Sequence, residues 1–413
     1  MRPHTDYKYM IIVIDGYEAN ISNRVGIGRY AYEMLRHIYD DIKNQKSKIK
    51  NTDQKLKILD AIFRIYLPNP PLSDMPKETV WWQYRVIGPK PLWTFIGLPL
   101  ALWRDKPECD VVFSPTHYVP RFINIPRVMA IMDVSYLAYP QLFRAKDLHQ
   151  LTQWTRYSVR RAARILTISQ FSKDGIIKAY GIPSERVMVT YPGMTTISNI
   201  KDSREAGSRS ARQTSNVVQK YVLPSRYILS VGTLQPRKNY GRLIEAFSML
   251  IRTVLSKGQS LNDLQLVIVG KKGWLYEEIL KAPEQFGVSD RVKFLEFVPD
   301  EDLQVLYEKA AAFALPSLYE GFGLPVLEAM ARGCPVVVSN VSSLPEIAGD
   351  AGIYIDPEDV TSIAKGLETA LEETKEERKR RVEAGLHQAA KFTWEKAAQQ
   401  TLAILEEVGG KKP

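Results

Sequence analysis

Cysteine is nearly absent from this chain. Two residues in 413, Cys109 and Cys334, cannot form a disulfide framework. Each lies beside an apolar run, where small buried thiols are expected, and a reducing cytosol fits such sparing use. A long hydrophobic run is also missing. The N-terminal MRPHTDYKYMIIVIDG passes from a polar lead into a short strand-like run, without the apolar core of a signal peptide. The most apolar stretch, PLWTFIGLPLALW (91–103), is broken by Gly97 and Pro99 and is too short to cross a bilayer. No repeat at a solenoid period is present. These absences exclude a disulfide-stapled scaffold and a helical membrane-spanning protein.

What is present is a chain long enough for two domains, with a net charge of +10 placed unevenly. Residues 1–215 hold 32 Lys and Arg against 19 Asp and Glu, whereas the remainder holds 24 against 27. A basic first half suits an anionic partner such as lipid headgroups, nucleic acid or a phosphorylated substrate, although a solvated basic surface would look the same.

Short apolar runs alternate with helical segments throughout. In the first half they fall at 10–15, 111–113, 128–132, 165–169 and 187–191; in the second at 227–232, 264–270, 292–298, 311–317, 335–340 and 352–355. They are continuous and rich in Val and Ile, as strands buried on both faces are, and intervening helices imply parallel sheets with right-handed crossovers. The polar stretch SNIKDSREAGSRSARQTSN (198–216) has no period and is expected to be a loop or linker. The expected architecture is α/β: two doubly wound Rossmann-like domains, residues 1–215 and 216–392, facing across a cleft, with the helix near 393–413 packing back on the first.

Doubly wound sheets bind ligands at the carboxyl ends of their strands. After the run 311–317 comes YEGFGLPVLEAMARG, in which Pro325 suits the first turn of a helix ending near Gly333. Gly321 and Gly323 allow close backbone approach. The N–H groups of Phe322, Gly323 and Leu324 would be unpaired at the positive end of the helix, an anion site suited to phosphate. Glu320 precedes that helix and Glu328 lies about one turn inside it. A carboxylate accepts two hydrogen bonds, which suits vicinal hydroxyls of a sugar. Alone, Glu328 would be an ordinary first-turn acid; the pair around a glycine turn points to a phosphate-linked sugar. Arg237 and Lys238, in the loop after the run 227–232, supply the positive charge that a diphosphate leaving group needs.

These residues resemble glycosyltransferase family 4, retaining enzymes of the GT-B fold. EGFGLPVLE carries the family's Glu-x7-Glu pattern, and VGTLQPRKN, ALPSLYEGFGLPVLEAMARGCPVVVSN and SSLPEIAGDAGIYIDP stand in family order. VGIGRYAYEML (25–35) and ILTISQFSKDGIIKAYGI (165–182) fit as well. The resemblance implies that the second domain binds a nucleotide-sugar and the first an acceptor. It matches Arg237 and Lys238 to the pyrophosphate-binding pair, Glu320 to the carboxylate near the donor sugar, and Glu328 to the one holding the ribose. Gly26 and Gly28 match the first-domain glycine loop near the donor phosphates. Thr233 stands where many members carry arginine, YPG (191–193) replaces a common Asn-Gly turn, and Met132 replaces a histidine before Asp133. His117 and Asp133, both at strand ends, are candidates for orienting the acceptor hydroxyl.

The function implied is retaining transfer of a hexose, with mannose expected, from a nucleoside diphosphate (GDP-mannose favoured) to a glycan or lipid-linked acceptor in surface polysaccharide assembly. No cofactor or metal is expected. A cytoplasmic location, with peripheral contact to an anionic membrane through 91–103 and Lys90, Arg104 and Lys106, follows from the basic first half; nucleic acid is not an expected partner. Asp300-Glu301-Asp302 is expected to cap a helix rather than hold a metal. The alternatives are a nucleotide-sugar epimerase of the same fold and a non-catalytic membrane- or nucleic-acid-binding scaffold. A glycoside hydrolase using Glu320 and Glu328 leaves the basic loop unexplained.

Overall fold

A computed structural model of the chain describes residues 9–24, 26–48, 60–87, 92–105, 109–194, 211–256 and 263–410. The chain divides into two compact units, residues 1–195 with 393–413, and residues 196–392. Among the described residues, no helix is long and apolar enough to cross a membrane.

The first unit holds a seven-stranded sheet: β1 (Ile11–Asp15), β2 (Ile62–Leu67), β3 (Trp82–Val86), β4 (Val111–Ser114), β5 (Arg127–Ile131), β6 (Arg164–Thr167) and β7 (Val187–Val189). Their order is β3-β2-β1-β4-β5-β6-β7, and every pairing is parallel. The central strands β1, β4 and β5 are buried along their whole length, as their largely apolar sequences require, with the polar residues Asp15, Ser114 and Arg127 only at strand ends. Strands β2 and β3 were not among the expected runs. Arg64 interrupts the first, and the second, WQYRV, lies at the sheet edge half exposed, so neither forms a continuous apolar block.

The second unit holds a six-stranded sheet: β8 (Arg226–Val231), β9 (Leu264–Val269), β10 (Val292–Leu295), β11 (Ala312–Leu315), β12 (Val336–Ser339) and β13 (Gly352–Ile355). Its order is β10-β9-β8-β11-β12-β13, again parallel throughout. One face packs on the helices Tyr240–Ser256 and Val360–Glu372, whose Leu243, Phe247, Leu250, Ile363 and Leu367 join Leu266, Ile268 and Ala314 in a single apolar cluster.

Each sheet reverses its winding once, between β1 and β4 and between β8 and β11. Crossovers leave such a pair of strands in opposite directions, so their carboxyl ends open a crevice. Residues after β1, β4, β8 and β11 are therefore where chemistry belongs.

Two expectations change. The helix Ala211–Lys220 occupies part of the polar stretch expected to be loop, and its Val217 is buried; positions 198–210 lie outside the described residues. The helix Asp300–Lys309 has Pro299 at its N-cap and no side-chain cap. Asp302 instead accepts from Lys220 Nζ and Tyr221 Oη, both at 2.7 Å, because these groups at the end of Ala211–Lys220 outcompete its own backbone. Its carboxyl is held below the usual range mainly by the Lys220 hydrogen bond.

The final helix, Trp394–Gly410, lies on Ile27–Lys48 in the first unit. The Trp394 indole tilts against Tyr30 at 5.7 Å and stacks with His37 at 6.3 Å. Gly193 makes room for it: a methyl group there would collide with the backbone of Trp394.

Candidate active site

In the second unit, the loops after β8 and β11 are laced together. The turn Pro236–Lys238 closes on Asn239, in left-handed conformation at φ 61°, whose buried amide donates to the carbonyls of Pro316 at 3.0 Å and Pro357 at 2.7 Å. Leu318 N–H donates to Arg237 O at 2.9 Å, and Arg237 Nη1 donates to Tyr319 O at 2.8 Å. Glu320, Arg237 and Lys238, far apart in sequence, meet as a result.

Glu320 was expected in the loop before the helix, as a carboxylate near the donor sugar. It is 6% exposed, and its role is structural as well. Its Oε1 accepts from Lys238 Nζ and Ser317 Oγ, both at 2.6 Å, while Arg237 Nη1 stands 3.7 Å from Oε2. Burial works to raise its pKa, but Lys238 and Arg237 together outweigh it and hold the carboxyl below the usual range. Two cations on one carboxylate leave a local excess of positive charge. Ser342 Oγ accepts from Glu320 N at 3.1 Å, and Ser343 Oγ donates to the carbonyls of Glu320 and Phe322, both at 2.9 Å. Sequence reasoning missed Asn239, Ser317, Ser342 and Ser343. A cluster of small hydroxyls after β11 and β12 was the available signal.

Helix Leu324–Ala331 starts immediately after this cluster. Gly323 caps it at φ 104°, a conformation that needs glycine, without a side-chain cap. The N–H groups of Phe322, Gly323 and Leu324 find no acceptor among the described residues, so three donors stand at the positive end of the helix. Gly321 is buried beside Glu320, and the Phe322 ring packs edge-on against Phe392 at 5.7 Å. Glu328, half-buried one turn into the helix, takes a hydrogen bond from Tyr307 Oη at 3.0 Å, a partner outside the Glu320 cluster.

In the first unit, a cavity of about 330 Å³ lies at the ends of β1 and β4. Asp15, Glu18, Trp93, His117, Tyr118 and Trp154 line it, together with Ile27, which sits between Gly26 and Gly28. Gly26 adopts φ 53° and accepts from Tyr30 N at 3.0 Å, opening the helix Ile27–Lys48. Gly28 is buried so close to Glu18 that a methyl group would stand 3.1 Å from its carbonyl. Asp15, which sequence reasoning passed over, ends β1. Its Oδ1 accepts from the Trp93 indole at 2.9 Å and from Tyr17 N at 3.1 Å. Burial nevertheless pushes its pKa up to about 6.

His117 is 6% exposed. Its Nε2 accepts from Met132 N at 3.3 Å, which places the proton on Nδ1, and Nδ1 has no partner. Burial lowers its pKa, against a weaker pull from Asp133, so it stands neutral. Asp133 is half-buried and accepts from Ser135 N at 2.8 Å. The two expected acceptor-side residues are thus electrostatic neighbours, joined through the turn at Met132. Among the described residues there is no group of three or more His, Cys, Asp or Glu arranged to hold a metal ion. Both cysteines are free, and burial pushes each thiol up to about 12.

Two strand-end sites, one rich in cations and helix N–H groups and one with carboxylates and a neutral imidazole, suit a phosphate-bearing and a hydroxyl-bearing substrate. The known proteins that the chain resembles accord with this. Residues 213–388 match the family described as glycosyl transferases group 1. The chain is 33% identical over 302 residues to O-antigen chain mannosyltransferase B of Escherichia coli, covering 73% of this chain and 75% of that protein. It is 28% identical to O-antigen chain mannosyltransferase RfbU of Salmonella typhimurium over 69% of each. Among solved structures, sucrose-phosphate synthase from Thermosynechococcus elongatus shares the fold at a TM-score of 0.69 and 16% identity, over 97% of this chain and 99% of the other. The fold is GT-B, and the chain belongs to the group 1 glycosyltransferases.

Proposed function

We propose that this glycosyltransferase is a retaining enzyme of family 4 that transfers mannose from GDP-mannose to a glycan or lipid-linked acceptor, in assembly of a surface polysaccharide at the inner face of an anionic membrane. The observation that carries the proposal is the buried Glu320–Lys238–Arg237 cluster beside the free N–H groups of Phe322, Gly323 and Leu324. In this reading Arg237, Lys238 and the helix N-terminus hold the diphosphate and stabilise its charge as it leaves. Glu320 orients the cations and faces the sugar, and Glu328 holds ribose hydroxyls. Gly26 and Gly28 let the first-unit backbone approach the donor phosphates, and His117 with Asp133 orients the acceptor hydroxyl.

The sugar C1–O bond to the diphosphate breaks and the bond to the acceptor oxygen forms on the same face. The acceptor proton passes to the departing phosphate oxygen. No protein nucleophile and no metal is required, since the charge that develops already has cationic partners. The O-antigen mannosyltransferase relatives support mannose and polysaccharide assembly.

A thermal-shift screen of nucleoside diphosphates and their sugars, followed by transfer assays, tests the proposal. A ligand selective for the folded state raises its stability, so GDP and GDP-mannose should give the largest shifts. Product should form only with an added acceptor and with retained anomeric configuration. Inversion at C2 without an acceptor would make the protein an epimerase instead.

A further inference from the structure

The cavity at the ends of β1 and β4 has two chemically different sides. One is aromatic. Trp93 and Phe95 come from the turn Trp93–Gly97, and Trp154 from the helix Ala145–Arg161. The Phe95 ring meets Trp154 edge-on with centroids 4.3 Å apart, and Tyr118 meets the same indole edge-on at 5.5 Å. These rings hold one another in place before any ligand arrives. The other side is polar. Asp15 is 3% exposed; its Oδ1 is taken by the Trp93 indole and Tyr17 N, and its Oδ2 has no hydrogen-bond partner among the described residues. Glu18 is its electrostatic neighbour, and burial raises the pKa of both. His117 keeps an Nδ1–H without a partner.

Among the described residues that line the cavity, none is Lys or Arg. Arg121, the cation against Phe95 at 4.1 Å, is not one of them, and it also lies 4.4 Å from the Tyr157 ring centroid. Lys90 and Lys106, on either side of the 91–103 stretch, lie outside the described residues. A phosphate beside Asp15 would therefore meet two carboxylates, a repulsion that partial burial strengthens. A wholly apolar ligand would leave Asp15 Oδ2 and His117 Nδ1 unpaired. A sugar ring satisfies both sides at once. Its C–H groups settle on the negative face of an aromatic ring, while its hydroxyls donate to a carboxylate and accept from an imidazole N–H. At about 330 Å³ the cavity is at the small end for ligand sites, so it suits the end of a glycan rather than a long stretch of one.

We propose that this cavity recognises the uncharged terminal sugar ring of the acceptor, stacked on Trp154 and hydrogen-bonded by Asp15 and Glu18, and that it excludes a phosphorylated one. The assignment of this ring to the acceptor rests on the transfer reading; the sugar site itself does not. It follows that the protein elongates a chain whose first sugar another enzyme has attached, and does not start one on a bare lipid phosphate.

Saturation-transfer NMR of the full chain with simple glycosides tests the site without turnover. The probes are the methyl glycosides of mannose, galactose, glucose and N-acetylglucosamine, set against mannose 6-phosphate. Each is titrated alone and with saturating GDP, which occupies the phosphate site of the second unit. At least one methyl glycoside should bind, and mannose 6-phosphate should bind about tenfold or more weakly in the presence of GDP. The octyl glycoside of the same sugar should bind like the methyl one, because the cavity meets the ring and not the aglycone. Trp154→Ala should weaken binding about tenfold or more. Asp15→Asn and Glu18→Gln keep the side-chain shapes; each should weaken glycoside binding and narrow its advantage over mannose 6-phosphate, a shift in selectivity that a purely structural role would not produce. Circular dichroism checks that the variants fold. No glycoside binding in either arm, equal binding of mannose 6-phosphate, binding that needs the octyl chain, or Trp154→Ala and Glu18→Gln variants that bind like the parent would overturn the proposal. A protein that binds the glycoside yet transfers nothing from any nucleotide-sugar would refute the transfer reading and leave the sugar site standing.

Discussion

Replacing Glu320 with glutamine keeps its shape and removes its charge. Lys238 Nζ, on a side chain 9% exposed, would then face a neutral amide, and Arg237 would lose the carboxylate 3.7 Å away. Breaking one side of a buried ion pair costs about 3–5 kcal/mol. Arg237 is less buried and keeps its bond to Tyr319 O, so the lower end, about 3 kcal/mol, is expected. With a urea slope of about 2 kcal/mol/M, the midpoint should fall by roughly 1.5 M. Lys238→Met should cost a similar amount, because Glu320 would then stay buried with Ser317 and Arg237 alone. The double variant removes both charges together, so its cost should fall short of the sum of the singles by at least about 2 kcal/mol. Urea unfolding of the four proteins by circular dichroism measures this, with midpoints taken per transition because a two-unit chain can unfold in steps. The gap between parent and Glu320→Gln should close in acid. The folded carboxyl has a depressed pKa, so its contribution is present above the unfolded value of 4.5 and is lost as pH falls through the folded value. Singles within about 0.5 kcal/mol of the parent, or costs that simply add, would refute the idea that the cluster is a coupled buried unit.

Asp15 has the opposite sign. Its pKa is raised to about 6, so its contribution to stability is complete below the unfolded value of 3.8 and is lost as pH rises through about 6. Asp15→Asn should therefore gain melting temperature relative to the parent between pH 4.5 and 7.5, and a pH-independent difference would contradict the burial argument. Transfer should survive excess EDTA, and Asp302→Asn should lower melting temperature slightly while turnover stays near that of the parent, since Asp302 binds Lys220 and Tyr221. Loss of activity on chelation, restored by Mn²⁺ or Mg²⁺, would overturn the account of how the leaving group is stabilised.

Every strand between two others in the second sheet was legible from sequence, because both faces are covered and each holds a run of mainly apolar residues, as in YILSV, LVIV, AFAL and VVV. Strands β2 and β3 were not. They approach the open edge of the first sheet, where Arg64, Gln83 and Arg85 break the run and periodicity replaces continuity. The glycine turn, its helix and the Arg237–Lys238 loop were visible because glycines and charges at strand ends mark such turns. That Glu320 would be buried, with Lys238 on one oxygen, was not visible, since it depends on Asn239 binding the carbonyls of Pro316 and Pro357 across 77 and 118 residues. Asp15 escaped notice for a related reason. It closes a strand with no motif around it, and only the fold brings Trp93 to its carboxylate.

The return of helix Trp394–Gly410 to the first unit has a consequence for the order of assembly. During synthesis, residues 196–392 emerge as one uninterrupted stretch and can complete their sheet and its helices in turn. The first unit has its whole sheet by Val189, yet the face of Ile27–Lys48 that holds Tyr30 and His37 stays uncovered until Trp394 arrives, after the entire second unit has been made. A chain that stops at Phe392 would thus contain a finished second unit and an unfinished first one. The nascent protein carries that exposed aromatic face for nearly half its translation, a period in which binding by a chaperone would matter most.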